Sequence, residues 1–189
     1  MKDRYLKLLS EVKRPGMDQL IKWLTDKSDF FTAPASTKYH GAKEGGLVEH
    51  SLEVHKNLDR IIKSCIFDMN TVIKPDSAII TALLHDICKA NFYTVQMRNA
   101  KNDAGVWEKV PFYAIEDQFP YGHGEKSVLI AREFISLQVE EMMAIRWHMG
   151  AFGSEGYADR QALSAAMEKY PLILALQMAD LAASYFDKK

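Results

Sequence analysis

Cysteine is scarce. Cys65 and Cys88 are the only two, too few and too far apart for the disulfide framework of a small secreted module, so the chain reads as reduced and cytosolic with two free thiols. No apolar run reaches the ~18 residues that a membrane-spanning helix needs. The opening residues, MKDRYLKLLSEVKR, mix acids and bases among leucines where a secretory signal requires an unbroken apolar centre. Neither sign of charge dominates: the net charge of -1 excludes the strongly basic composition that marks many nucleic-acid-binding domains, while leaving room for a local patch. Biased tracts and internal repeats are also absent, which argues against long disorder. What remains is 189 residues, 48% hydrophobic and 26% charged, a size and composition that suit one globular domain with a core of its own.

Helical periodicity fills most of the chain. Leu47, His50, Val54, Leu58, Ile61 and Cys65 recur at three- and four-residue steps and share one stripe of a helix. Pro75 suits a first helical turn, and Ile79, Ile80, Leu83, Leu84 and Ile87 continue from it, carrying His85 and Asp86 near the helix end. Further helices are expected at about Lys2 to Lys13, Met17 to Lys27, Glu125 to Ile135, and Val139 to Met149 with Gly150 as its cap. A last one starts near Pro171 and sets Ile173, Leu176, Asp180 and Ala183 on one face. Residues 92–113 break the period: Tyr93, Val95 and Met97 alternate on one side and Val106 on the other, around an Asn-Asp-Ala-Gly turn signal, which predicts a β-hairpin. The stretch AFGSEGYA, 151–158, predicts a glycine-rich surface loop able to act as a lid. The expected fold class is therefore all-α, a helical bundle with a small β-hairpin insertion, in a single domain whose residues 1–38 are packing helices and 39–184 the core of the site.

Polar groups interrupt these apolar faces. His50, the adjacent His85 and Asp86, and Asp180 lie at or beside buried stripes, where an ionisable group costs several kcal/mol unless it is paired or binds a metal. One such histidine is most simply a hydrogen-bonded core residue or a helix cap. Several together, drawn from separate helices, match the way helical bundles build sites for divalent transition metals.

The order His50, His85-Asp86, Asp180 resembles the HD-domain superfamily of metal-dependent phosphohydrolases. GGLVEHS at 45–51 is similar to the segment around that family's first histidine, and His85-Asp86-Ile87-Cys88-Lys89 has the HDxxK form. The resemblance covers about Tyr39 to Asp180. In the two-metal branch further histidines fall between the HD pair and the last aspartate, and His123 in YGHGEKS and His148 in AIRWHMG occupy matching places. The resemblance thus implies two divalent ions, of manganese, iron, zinc, cobalt or nickel. One would be held by His50, His85, Asp86 and Asp180, the other by His123, His148 and the second oxygen of Asp86.

The implied activity is hydrolysis of a nucleotide or short oligonucleotide phosphoester by a hydroxide that bridges the two ions. Lys89, one turn beyond His85, would hold a phosphate oxygen, with Arg146 and Lys126 as weaker substrate-binding candidates. His40 sits in a segment that resembles the HD domain of bacterial 3'-to-5' exoribonucleases, which would make it a substrate contact or a proton donor to the leaving oxygen. Trp147, Phe152 and Tyr157 are candidates to stack a base or simply to pack, and His55, about 140° around its helix from His50, is expected at the surface. The HHE and GYP elements of cyclic-dinucleotide phosphodiesterases are missing. The same ligand order also resembles the mixed-valent di-iron oxygenases of the superfamily, and a metal-containing nucleotide-sensing module is the non-catalytic alternative.

Overall fold

The computed structural model describes residues 1–64, 72–153 and 156–186. It is mostly helical with one small antiparallel sheet, in the order α1 (Lys2–Glu11), α2 (Met17–Asp26), α3 (Gly46–Lys63), α4 (Pro75–Leu84), β1 (Tyr93–Lys101), β2 (Trp107–Ile115), α5 (His123–Arg132), α6 (Val139–Trp147), α7 (Tyr157–Lys169) and α8 (Pro171–Tyr185). Among the described residues no helix is long and apolar enough to cross a membrane. Cys88 is buried and free, and Cys65 lies outside the described residues.

Two apolar clusters flank the helix α4. One joins the N-terminal helices to α3, α5 and α6 through Tyr5, Leu9, Leu20, Leu24, Phe30, Leu47, Ile80 and Leu83. The other joins α3, α6, α7 and α8 through Val54, Leu58, Trp147, Leu172, Ile173 and Leu176. α4 is buried on almost every side, from Ser77 through Leu84 with the exception of Ile79, because apolar residues surround it rather than form a single stripe. At about 1.5–3 kcal/mol for each large aliphatic side chain removed from water, this helix is firmly seated. Its C-terminal end, which carries His85 and Asp86, is correspondingly fixed between the clusters.

Buried polar contacts register the helices. Glu141 of α6 is fully buried and accepts a two-pronged bond from Arg14, with Nη1 to Oε2 at 2.6 Å and Nη2 to Oε1 at 2.9 Å. It also accepts from the Ser77 hydroxyl at 2.8 Å and the Gln138 N–H at 2.7 Å, so every lone pair of the carboxylate is used and α6 is tied both to α4 and to the turn after α1. The Tyr5 hydroxyl donates to the Leu83 carbonyl at 2.7 Å, anchoring α1 to the turn that precedes His85.

Three sequence expectations change. The helix expected to run through Ile87 ends at Leu84, and Ile87–Lys89 form a 3-10 turn. Asn91 at φ +55 exchanges hydrogen bonds with Asp29, N–H to side-chain oxygen in both directions at 2.6 and 3.0 Å, which stops the helix and aims the chain into the hairpin. The glycine-rich stretch is shorter than a full loop: Gly150–Gly153 form a 3-10 turn and α7 begins at Tyr157, while 154–155 lie outside the described residues. In the hairpin, Lys101 pairs with Trp107, so Val106 belongs to the connecting turn, where Gly105 adopts φ +77. Val95 and Met97 alternate as expected yet are more than half exposed; the hairpin projects, and its pattern does not mark a core face.

Candidate metal centre

Four imidazoles and two carboxylates meet where α3, α4, α5, α6 and α8 converge. α3 contributes His50, the end of α4 His85 and Asp86, the first residue of α5 His123, the end of α6 His148, and α8 Asp180. His50, His85, Asp86 and His148 are all buried. His123 reaches the cluster because α5 starts two residues earlier than the expected Glu125, and because Gly124 lets α5 approach the α6 backbone. A Cβ at Gly124 would lie 2.3 Å from the Arg146 carbonyl oxygen, far inside contact distance.

The Asp86 carboxylate is the hub. Its Oδ1 lies 2.6 Å from His123 Nε2 and 3.5 Å from His148 Nε2, and its Oδ2 lies 3.5 Å from His85 Nε2 and 3.7 Å from His50 Nε2. Each oxygen thus faces a different pair of histidines. Asp180 Oδ1 stands 3.1 Å from His50 Nε2. The Nδ1 atoms of His85 and His148 meet the backbone carbonyls of Ala82 at 2.9 Å and Ile145 at 2.7 Å. A carbonyl can only accept, so each Nδ1 carries the proton and each Nε2 turns a lone pair inward, the tautomer a metal ligand needs. His148 Nε2 is buried with no hydrogen-bond partner among the described residues, and a buried unpaired acceptor normally calls for a missing ligand. These groups fit a metal: His50, His85 and Asp180, then His85, Asp86 and His148, and also Asp86, Cys88 and His123, are sets whose donor atoms lie within 4.8 Å of one another.

Electrostatics follow from this crowding. Burial alone would raise the Asp86 carboxyl, but Lys89, His85 and His123 outweigh it and hold it well below the usual carboxylate range. Burial pushes His85 down to about 3. It acts the same way on His123, where the charge and hydrogen bond of Asp86 overcome it and push the ring up to about 10. Asp180 is lowered despite its burial, chiefly by its bond to His50.

Lys89 enters the cleft with Nζ 2.6 Å from Asp86 Oδ2, and that partner raises its pKa against the opposing effect of burial. His40 also lines the cleft, its ring 4.8 Å from that of His50 and its Nε2 3.4 Å from Ser184 Oγ. Burial, with His50 and Lys89 beside it, lowers His40 to about 4. Two further candidates lie elsewhere. Lys126 is buried against Asp117 at 2.6 Å and over the Phe92 ring, and Arg146 pairs with Glu125 at 2.5 Å while lying on the face of Trp147; neither lines the cleft. Of the aromatics, Phe152 stands exposed at the rim, Trp147 is buried under Arg146, and Tyr157 is away from the cleft, accepting a bond from Gln161. His55 is half-buried rather than at the surface, and its Nδ1 has no hydrogen-bond partner among the described residues.

Sequence reasoning missed two residues. Cys88 Sγ lies 3.3 Å from His123 Nδ1, the place that a backbone carbonyl takes behind His85 and His148. Its position inside the HDxxK run was the available signal. Ser184, one turn after Asp180, links that carboxylate and His40 at 3.4 Å each. Above the polar floor the cleft holds about 600 Å³, and Tyr39, Tyr93, Phe152 and Tyr185 wall it, a volume and an aromatic lining suited to a ligand larger than a phosphate ion. Comparison with protein-family models, with curated proteins and with solved structures returns no match.

Proposed function

We propose that this chain is a metal-dependent phosphohydrolase of the HD kind, with a binuclear centre, acting on a nucleotide or short oligonucleotide phosphoester. The observation that carries the reading is the division of Asp86: one oxygen faces His123 and His148, the other His50 and His85. A carboxylate that would give one oxygen to each of two ions needs that division, whereas a single ion does not. His50, His85 and Asp180 would hold one ion with Oδ2, and His123 and His148 the other with Oδ1. When bound, such a pair of divalent ions supplies a water of lowered pKa and neutralises charge on a phosphoryl group.

The chain's own residues supply the rest. Lys89 lines the cleft beside Asp86, which places its ammonium to pair with a phosphoryl oxygen of a bound ester. His40, held beside Ser184, faces the cleft as a substrate contact or a proton donor to the leaving oxygen. The aromatic walls take up the organic part of the ester and exclude water around it. The test is an assay of metal-loaded protein with bis(4-nitrophenyl) phosphate, 4-nitrophenyl phosphate and a set of nucleotides, in air and without oxygen. Ester cleavage that ignores oxygen supports the reading. Turnover that appears only with iron and dioxygen overturns it in favour of an oxygenase, and a nucleotide that binds and is never cleaved overturns it in favour of a sensing module.

A further inference from the structure

His85 and His148 take their orientation from their own helices. Each follows the last residue of one, and its Nδ1 meets the carbonyl three residues back, Ala82 at 2.9 Å and Ile145 at 2.7 Å. His123 has no such carbonyl, because it is the first residue of α5 and no helical turn precedes it. The atom behind its ring comes from another element: Cys88 Sγ, in the turn Ile87–Lys89, lies 3.3 Å from His123 Nδ1. Cys88 is held by α5 in turn. Its N–H donates to the Ser127 hydroxyl at 3.3 Å, and Ser127, four residues after His123, lies one turn further along the same face of that helix. Cys88 and Ser127 are buried, while the His123 side chain is 34% exposed and is the most open of the four rings around Asp86.

We propose that Cys88 is the positioning residue of His123: its sulfur accepts a hydrogen bond from Nδ1–H and presents the Nε2 lone pair to the ion on the Oδ1 side of Asp86. The inference rests on the binuclear reading above and adds a residue to that half of the centre. A ligating imidazole whose far nitrogen is held keeps both its tautomer and the plane of its ring. A thiol sulfur is a weak acceptor, yet it is what the fold supplies where a helix start leaves no carbonyl in reach. Direct ligation by Cys88 fits less well. Its sulfur stands on the Nδ1 side of the ring, while Nε2 is the nitrogen that faces Asp86 Oδ1, at 2.6 Å.

The experiment titrates zinc into wild type, Cys88→Ala, Cys88→Ser and His123→Ala against a chelating indicator, and records a nitrogen NMR spectrum of the histidine rings in the zinc-loaded proteins. Cys88→Ala should bind one ion as wild type does and the other about ten- to a hundredfold more weakly. Cys88→Ser keeps an acceptor and should recover most of that loss. The wild-type spectrum should show His123 protonated on Nδ1; protonation on Nε2 would overturn the proposal whatever the variants do. Two ions bound by Cys88→Ala as tightly as by wild type would overturn it and leave the binuclear reading standing. Equal losses in Cys88→Ala and Cys88→Ser would also overturn it, by reducing Cys88 to packing. So would a sulfur-to-metal charge-transfer band in cobalt-loaded wild type that Cys88→Ala lacks, since the thiolate would then be a ligand. A wild type that takes one ion, bound unchanged by His123→Ala, defeats the binuclear reading itself and this proposal with it.

Discussion

Replacing Gly124 by alanine sets two physical effects against each other. Gly124 lies in the first turn of α5, where alanine is intrinsically favoured over glycine by up to about 1 kcal/mol. Its φ is not in the left-handed region, so the backbone itself accepts a side chain. Against this, the new methyl would sit 2.3 Å from the Arg146 carbonyl oxygen and within 3 Å of the Arg146 carbonyl carbon and Cα. That is about 1 Å short of the 3.4 Å at which ordinary contact begins, and every obstructing atom is backbone. Overpacking of this kind costs about 1–3 kcal/mol, so sterics outweigh propensity. The relief available is to push α5 away from α6, which takes His123 away from His148 and Asp86. Metal ligands tolerate about 0.2 Å, so a displacement near 1 Å should weaken metal binding by at least ten- to a hundredfold. The assays are metal titration followed by tryptophan fluorescence and thermal unfolding of the metal-free protein. A Gly124→Ala protein that binds metal as wild type does and melts no lower would refute the reasoning.

Asp86→Ala removes the carboxylate that faces all four histidines and, on the proposed function, should abolish metal uptake and ester hydrolysis together, whereas Lys89→Ala should keep the metal and lose catalysis; atomic absorption beside the nitrophenyl assay separates the two. Glu141→Gln leaves Arg14 without its carboxylate in a buried place and should cost about 2–4 kcal/mol in urea unfolding at pH 7. Burial tends to raise the pKa of Glu141, but Arg14, the Gln138 N–H and Ser77 together hold it below its usual 4.5. Its contribution is therefore complete above that value and is lost as pH falls through the lowered folded value, so the gap between wild type and Glu141→Gln should be full at neutral pH and close as pH falls below 4.5. A gap that stays constant over that range would mean that the buried ion pair is not what the substitution removes.

The helices were legible where one stripe of apolar residues repeats, as from Leu47 to Ile61, and where Pro75 and Pro171 mark their starts. α7 was not legible: residues 157–169 bury only Leu163 and Ala166 among fully buried positions, too few to set a period. The hairpin was legible from its turn signal and alternation, but its exposure was not, because alternation does not say whether a partner surface exists. All six residues expected to hold metal meet at one place, since polar groups on apolar stripes have nowhere else to be satisfied. Lys126 and Arg146 were chosen by closeness in sequence to His123 and His148. Arg146, two positions before His148, lies about 200° around the helix from it and pairs with Glu125, while Lys126, although on the same helix face as His123, is drawn away by Asp117. Cys88 and Ser184 escaped because a thiol and a hydroxyl behind the ligands carry no period of their own.

The binuclear centre is the central claim, and its most direct test is metal content per chain on protein purified without added metal or chelator, measured for wild type, His123→Ala and His148→Ala. Near two ions in the wild type, falling toward one in both variants, is the result that the divided contacts of Asp86 predict. One ion or fewer, unchanged by either substitution, would contradict it.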